Sequence, residues 1–133
     1  MAELTCTVVT PEQTALETKA DFVALPLFDG EIGVAPNHSP LIGRLGYGEM
    51  RIKSGGQTLV YYVDGGFVQV ADNIVAVLTN RAVPATSLDP AAAEAQLQKA
   101  LERRANTPEL FEIRTRQIAQ ARAQIRTARR ARL

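Results

Sequence analysis

The sequence of 133 residues has little of what disulfide frameworks, metal centres and membrane anchors require. One cysteine, Cys6, excludes an internal disulfide, and one histidine, His38, leaves no His/Cys cluster to hold a metal. No apolar run approaches the ~18 residues of a membrane-spanning helix, and the first residues lack the basic stretch of an export signal. These absences predict a globular protein of a reducing compartment that meets a membrane only through a partner.

Charge is distributed unevenly along the chain. Its net charge is +1, but residues 1–86 carry five basic and nine acidic side chains, whereas residues 87–133 carry ten and five. From Arg114 onward there are seven arginines and no acid, and such like charges repel one another on a helix unless an anion is present. The run therefore predicts an anionic partner. Aromatic residues make up only 5% of the chain and none follows Phe111, which disfavours base stacking with nucleic acid.

Residues 1–86 predict an antiparallel β-sandwich or flattened barrel. Apolar residues alternate with a period of two, and turn residues such as those at 54–56 and 64–66 separate the runs. About ten short strands cannot lie in one flat sheet without exposing an apolar face. After a first run that ends near Thr10, the predicted strands cover roughly 13–18, 20–27, 31–34, 41–45, 49–53, 57–63, 67–71 and 74–80. The predicted core consists of Val23, Leu25, Ile32, Leu41, Leu45, Ile52, Val60, Tyr62, Phe67, Val70, Val75 and Val77.

Residues 87–133 predict an antiparallel hairpin of two helices, about 89–105 and 108–131. Asp89 before Pro90 and Thr107 before Pro108 are typical of helix starts. The overall prediction is an α+β, mainly β fold. The only large apolar anchors of the hairpin are Leu97, Leu101, Leu110, Phe111, Ile118 and Ile125. Because so thin a stripe buries little surface, we expect the hairpin to dock marginally and to be able to leave the sandwich.

Catalytic and nucleotide-binding motifs are lacking. The glycine-rich segment 54–58 has neither the lysine nor the spacing of a phosphate loop, and His38 has no evident triad partners. Asp29 and Glu31 flank a turn that favours solvated carboxylates, and Cys6 lies at an inward strand position. The sequence thus predicts no catalytic site and no cofactor. Two alternatives stay open: a small β-barrel nucleic-acid-binding module with a basic helical tail, and a small enzyme with a pocket in the barrel.

Three segments carry a resemblance to a known family. They read LFDGEIGVAPNHSPL at 27–41, VDGGFVQV at 63–70 and NIVAVL at 73–78. In order and length the chain resembles the epsilon subunit of F-type rotary ATP synthases, which is called delta in mitochondria. The resemblance implies a non-catalytic subunit of the central stalk that couples ion translocation to ATP synthesis.

The resemblance also implies partners for each part of the chain. The sandwich of residues 1–86 would bind the gamma subunit and the ring of c subunits, with Glu31 and His38 facing the ring. The regulatory hairpin of residues 87–133 would either fold against the sandwich or extend along gamma, and in the extended form its basic residues would meet the beta subunits of the catalytic head and inhibit ATP hydrolysis. The arginines that match this role in kind are Arg114, Arg116, Arg122, Arg126, Arg129 and Arg130.

Some members of the family bind ATP through a motif at the start of the first helix. The motif has an arginine where this chain has Ala92, so a charge-assisted donor for phosphate is missing and ATP binding is not expected. The resemblance, with no transit peptide at the start, implies a peripheral location on the cytoplasmic face of a bacterial inner membrane.

Overall fold

The computed structural model describes residues 3–131, and within them eight strands precede two helices. The predicted fold class, a mainly β sandwich followed by a helical hairpin, is confirmed. The strands are β1 (Leu4–Val9), β2 (Thr14–Ala20), β3 (Phe22–Leu27), β4 (Gly30–Val34), β5 (Leu41–Ser54), β6 (Gln57–Ala71), β7 (Ile74–Leu78) and β8 (Ala82–Pro84). A 3₁₀ turn at Ala85–Ser87 leads into the helices α1 (Pro90–Glu102) and α2 (Pro108–Arg130).

The strands follow the order β2-β1-β7-β6-β5-β3-β4, with β8 added to β6. The pairs are antiparallel as expected, except that β1 runs parallel to β7. Inward side chains from β1, β3, β5, β6 and β7 share one apolar core. The sheet therefore folds over itself to cover its own apolar face.

β5 and β6 are longer than the sequence predicts, because the predicted turn at 64–66 is wrong. Gly65 and Gly66 have φ angles of 71° and 106°, yet the ladder continues in unchanged register, with Leu45 opposite Gly66. The two glycines allow the strand to bend without reversing its direction. Two pairs of predicted short runs are therefore joined, which reduces the nine predicted runs to seven. The short strand β8, which the sequence did not predict, brings the number to eight, where about ten were expected.

The inward-facing side of both long strands changes at this bend. Leu45 is buried at an odd position of β5, whereas Met50 is buried at an even one; on β6, Val63 and Val68 show the same change. Strands that bend between the layers of a sandwich behave in this way. The outer surface of the sheet is thus divided at the bend into two separate regions.

Most of the predicted core is buried in the sandwich, but Val60, Tyr62 and Phe67 are wrongly assigned because their side chains lie outside its apolar core. Ile32, Leu41 and Val60 are half-buried, whereas Phe67 is 60% exposed because the bend turns it outward while Val68 points inward. Cys6 is fully buried, and this burial raises the pKa of its thiol to about 12. The fully buried members of the predicted core are Val23, Leu25, Leu45, Ile52, Val70, Val75 and Val77, each at most 2% exposed. Tyr62 is also fully buried, but in a second cluster with residues of the hairpin.

Both helices begin at their predicted caps. An Asp89 carboxylate oxygen accepts a bond from the Ala91 N–H at 3.0 Å, and Thr107 Oγ1 accepts one from the Leu110 N–H at 3.1 Å. α1 ends at Glu102, a turn earlier than expected.

α2 lies on β5 and β6 through small side chains. Of the six expected anchors only Ile125 is buried, and Leu101 and Phe111 are exposed. The buried residues of α2 are Ala121, Ala123, Gln124, Ile125, Thr127 and Ala128. Docking thus rests mainly on alanines, which allow close approach but bury little area.

Candidate functional site

The turn between β3 and β4 presents Glu31, whose side chain is 51% exposed. The Arg51 guanidinium holds it through two bonds, from Nη2 to Oε1 at 2.7 Å and from Nη1 to Oε2 at 3.2 Å. These bonds, and the charges of Arg51 and Arg130, lower the pKa of Glu31 against a smaller opposing effect of burial. The turn therefore displays a carboxylate that stays ionised under ordinary conditions.

The loop between β4 and β5 carries His38, which is half-buried. Its Nδ1 lies 2.7 Å from the Ser39 carbonyl oxygen. The loop is tied to the β6–β7 turn by two asparagines of positive φ: Asn37 N–H donates to Asn73 Oδ1 at 2.6 Å, and Asn73 Nδ2 donates to Asn37 Oδ1 at 3.3 Å. The sequence did not indicate this pair, which fixes the loop that carries His38.

The arginines of α2 divide into paired and unpaired groups. Arg129 pairs with Glu94 of α1 at 3.1 Å, and Arg130 Nε lies 3.7 Å from Glu49 Oε2 on β5. Arg114 donates to the Leu101 carbonyl oxygen at 3.2 Å. Within α2, the exposed arginines that form no ion pair with residues 3–131 are Arg116, Arg122 and Arg126, while the seventh arginine, Arg132, lies outside the described residues.

A polar contact joins the sandwich to α2 beside its alanines. Tyr62 is fully buried, and its hydroxyl donates to Asp64 Oδ1 at 3.0 Å. Gln120 Nε2 of α2 donates to the same oxygen at 3.0 Å. Leu88, Ala123 and Ala128 pack with Tyr62. Burial, supported by the neighbouring Asp64 charge, raises the pKa of the Tyr62 hydroxyl above its usual range.

The other outer region of the sheet carries large exposed apolar side chains, which sequence analysis missed. In this region Phe67 lies opposite Leu78 on β7 and opposite Arg44 on β5, whose guanidinium lies 4.5 Å from the centre of the Phe28 ring. A monomer seldom exposes so many apolar side chains without a partner. We call this set the apolar patch: Phe28, Ile42, Phe67, Ile74 and Leu78.

A groove of about 870 Å³ connects the apolar patch with the hairpin. Phe28, Phe67 and Leu78 line one part, and Arg116 and Gln120 of α2 line another. A partner seated on the patch therefore also lies against α2 when the helix is docked.

Among residues 3–131, no group of three His, Cys, Asp or Glu side chains is arranged to hold a metal ion. Neither helix within this range is long and apolar enough to cross a membrane.

Comparisons with known proteins agree on one family. Residues 3–85 match the model of the β-sandwich domain of the ATP synthase delta/epsilon chain. The ATP synthase epsilon chain of Rhodopirellula baltica is 49% identical over 124 residues, which cover 93% of this chain and 97% of the relative. That of Desulfitobacterium hafniense is 39% identical, covering 90% and 89%.

Solved structures agree on the fold. A chain of the Euglena gracilis mitochondrial ATP synthase, determined as the OSCP/F1/c-ring assembly, superposes with a TM-score of 0.82 at 20% identity, covering 99% of this chain and 82% of that one. A chain of the Tetrahymena thermophila mitochondrial central stalk and c ring gives 0.74 at 13%, covering 94% and 96%. The comparisons give no support to the nucleic-acid-binding alternative.

Proposed function

Because this chain belongs to the delta/epsilon-chain family of ATP synthases, a family of stalk subunits with no catalytic site of their own, we propose that it couples rotation to ATP synthesis and inhibits ATP hydrolysis. In this proposal the sandwich of residues 1–86 is the coupling part, and the hairpin of residues 87–133 is the regulatory part. Each part has a surface suited to its role.

The apolar patch is suited to bind the gamma subunit. A subunit that transmits torque needs an interface that does not slip, and buried aromatic and aliphatic side chains contribute most to such interfaces. On the sandwich, Phe67 and Leu78 are exposed side by side. The turn with Glu31 and the loop with His38 would then contact the c ring, with the Asn37–Asn73 pair holding the loop in place.

The hairpin is suited to move. The observation that carries this part of the proposal is that α2 docks through alanines while Arg116, Arg122 and Arg126 remain exposed and unpaired within residues 3–131. Weak docking lets α2 leave, and its free cations suit an acidic segment of the beta subunits. Arg114, Arg129 and Arg130 would join that contact after giving up their present partners.

Truncation after Arg104 tests inhibition by the hairpin. The truncated chain should still fold and join the complex, because the core lies within residues 4–77, while ATP hydrolysis by the complex should rise. The measurement is hydrolysis by complexes reconstituted with full-length or truncated chain. Unchanged hydrolysis would refute inhibition and leave the coupling role standing.

A substitution in the full-length chain distinguishes the effect of the α2 charges from the effect of removing the helix. Replacing Arg122 and Arg126 together by alanine should raise hydrolysis in the same direction but less than truncation does. The matched control replaces Lys99, in the last turn of α1, and Arg104, which follows that helix; both are also exposed, and their replacement should leave hydrolysis unchanged. Full inhibition by the α2 variant would show that those two charges do not contribute to inhibition of ATP hydrolysis.

We also propose that this hairpin does not sense ATP through the start of α1. The methyl side chain of Ala92 supplies no charged donor for phosphate where the motif has an arginine, and Asp89 is engaged as the cap of α1. Calorimetric titration of the isolated chain with ATP should therefore give no saturable heat, whereas a saturable signal would contradict this proposal.

The location follows from the complex. ATP synthases are membrane-associated, so the chain lies at a membrane as part of one. We place it on the cytoplasmic face of a bacterial inner membrane as a proposal, supported by its identity with epsilon chains of bacteria.

A further inference from the structure

Four side chains of alternating charge run from the Glu31 turn to the end of α2. Glu31 bonds Arg51, Arg51 Nη1 donates to Glu49 Oε1 at 3.1 Å, and Glu49 Oε2 lies 3.7 Å from Arg130 Nε. We call these four residues the charge row. It connects a surface turn of the sandwich to the last residue of α2.

Arg51 is shared between two acids. Its Nη1 donates to Glu31 Oε2 and to Glu49 Oε1 at nearly equal distances, 3.2 and 3.1 Å. Arg51 and Glu49 lie two positions apart on β5 and so project from the same face. A donor divided in this way moves toward one acceptor when the other is withdrawn.

Glu49 is shared between two cations. Its side chain is only 10% exposed, so water screens its ion pairs less than it screens those of a surface carboxylate. One oxygen faces Arg51 and the other faces Arg130. Whatever strengthens the bond from Arg51 to Glu49 therefore weakens the attraction between Glu49 and Arg130.

We propose that the charge row couples occupancy of the Glu31 turn to the docking of α2, so that a positive group bound by Glu31 weakens the hold of the sandwich on the end of that helix. This inference rests on the proposed function, since it supplies a signal for the release of the hairpin. It names the chemistry of that signal as a lysine, an arginine or a cluster of N–H donors presented to the turn.

Two effects give the coupling its sign. A cation at Glu31 frees Arg51 to bond Glu49 fully, which leaves Arg130 a weaker partner. It also neutralises the attraction between Glu31 and Arg130, whose charge reaches Glu31 strongly enough to help lower the pKa of that carboxyl. Both effects favour release. The coupling is reciprocal. If a cation bound at Glu31 raises the equilibrium constant for release of α2 by a given factor, release of α2 raises the affinity of Glu31 for that cation by the same factor.

Hydrogen exchange on the isolated full-length chain tests the coupling. Glu31→Gln removes the charge, as a bound cation would neutralise it, and it should accelerate exchange of the α2 amides at residues 123–130 by ~2- to 5-fold, the range expected for half-exposed ion pairs. The β7 amides, which lie in the core, should keep their rates. Raising the ionic strength to about 1 M should abolish most of the difference because charges are screened within ~3 Å.

A double-mutant cycle identifies the route. In an Arg130→Gln background, Glu31→Gln should produce no further acceleration, because the end of the charge row is already gone. Glu17→Gln, at an exposed position of β2 outside the charge row, is the matched control and should change nothing. An equal acceleration by Glu31→Gln in both backgrounds would overturn the proposal.

A second variant distinguishes a failure of the coupling from a failure of the proposed function. Gln120→Ala loosens α2 through Asp64 and not through the charge row. If Gln120→Ala accelerates exchange and Glu31→Gln does not, the hairpin can be released but the charge row does not control it. Unchanged ATP hydrolysis on truncation would instead remove inhibition, whereas the coupling measured by exchange would stand.

Discussion

Gly66 is the residue whose replacement the sandwich should tolerate least. Its φ is 106°, and a Cβ at this position would overlap the Leu78 carbonyl oxygen of the adjacent strand. The backbone oxygen cannot move without breaking the pairing of β6 with β7.

We expect Gly66→Ala to lower the free energy of unfolding by roughly 2–5 kcal/mol, the sum of backbone strain and overpacking. Urea unfolding measures it. Gly55→Ala is the matched control, since Gly55 also has positive φ, 57°, but no atom lies within 4 Å of the added carbon. Equal losses in the two variants would show that close approach to Leu78 is not the cause.

The same glycine shows where sequence reasoning reaches its limit. Asp64-Gly65-Gly66 has the composition of a reversal, and both glycines do have positive φ. Whether a positive φ reverses a strand or only bends it depends on the register held by neighbouring strands, which local sequence does not encode. The wrong assignment of Phe67 to the core follows from this single ambiguity.

Glu31 should give stability a small dependence on pH. Its pKa is lowered in the folded protein, so its contribution is present above its unfolded pKa of ~4.3 and is lost as pH falls through the folded value. Glu31→Gln should be less stable than the parent at pH 7 by ~0.5 kcal/mol, because the pair with Arg51 is half-exposed, and equally stable near pH 2. Urea unfolding at both pH values measures this, and a difference that persists at low pH would contradict it.

Among the elements, α2 is the one that attaches the hairpin to the sandwich, and small side chains make up half of its buried residues. Sequence predicted the helix from its cap and its periodicity, both of which are local. It did not predict the docking face, because only one of the large apolar residues that usually mark such a face, Ile125, is buried, whereas three alanines of α2 are. Alanine is buried here for its small size, which lets the helix approach Tyr62.

Ala123→Leu tests this close approach. The larger side chain should push α2 away from Tyr62 and weaken docking by about 1–3 kcal/mol, with the sandwich unaffected. Faster hydrogen exchange in α2 but not in β7 is the expected observation. Ala92→Leu, at an exposed site of α1, adds the same volume and should have no effect.

At the scale of the whole molecule, the bend in β5 and β6 separates two working surfaces. On one side the outer face carries Glu49 and Tyr62 under the hairpin, and on the other it carries the apolar patch. The fold class and the family resemblance could be obtained from the sequence, because they rest on periodicity and on continuous motifs. The patch could not, because its residues come together only when β5, β6 and β7 are paired.

Phe67→Ser should therefore impair assembly and not folding. Phe67 is largely exposed, so the isolated variant should unfold within ~0.5 kcal/mol of the parent, but its recovery with the gamma subunit should fall at least about tenfold if Phe67 is a central contact. Co-purification from a reconstituted complex measures recovery. Phe111→Ser, an equally exposed phenylalanine on α2, is the control; normal recovery of Phe67→Ser would exclude the patch as the gamma site.

The alanine interface of α2 has a thermal consequence. Heat-capacity change scales with the apolar area transferred to water, and parting alanines from a sheet exposes little of it. Release of the hairpin should therefore have a nearly constant enthalpy, and its van't Hoff plot should stay close to linear. When a cell warms or cools, the equilibrium constant for release of the hairpin would therefore change steadily in one direction, because the enthalpy of release does not change sign.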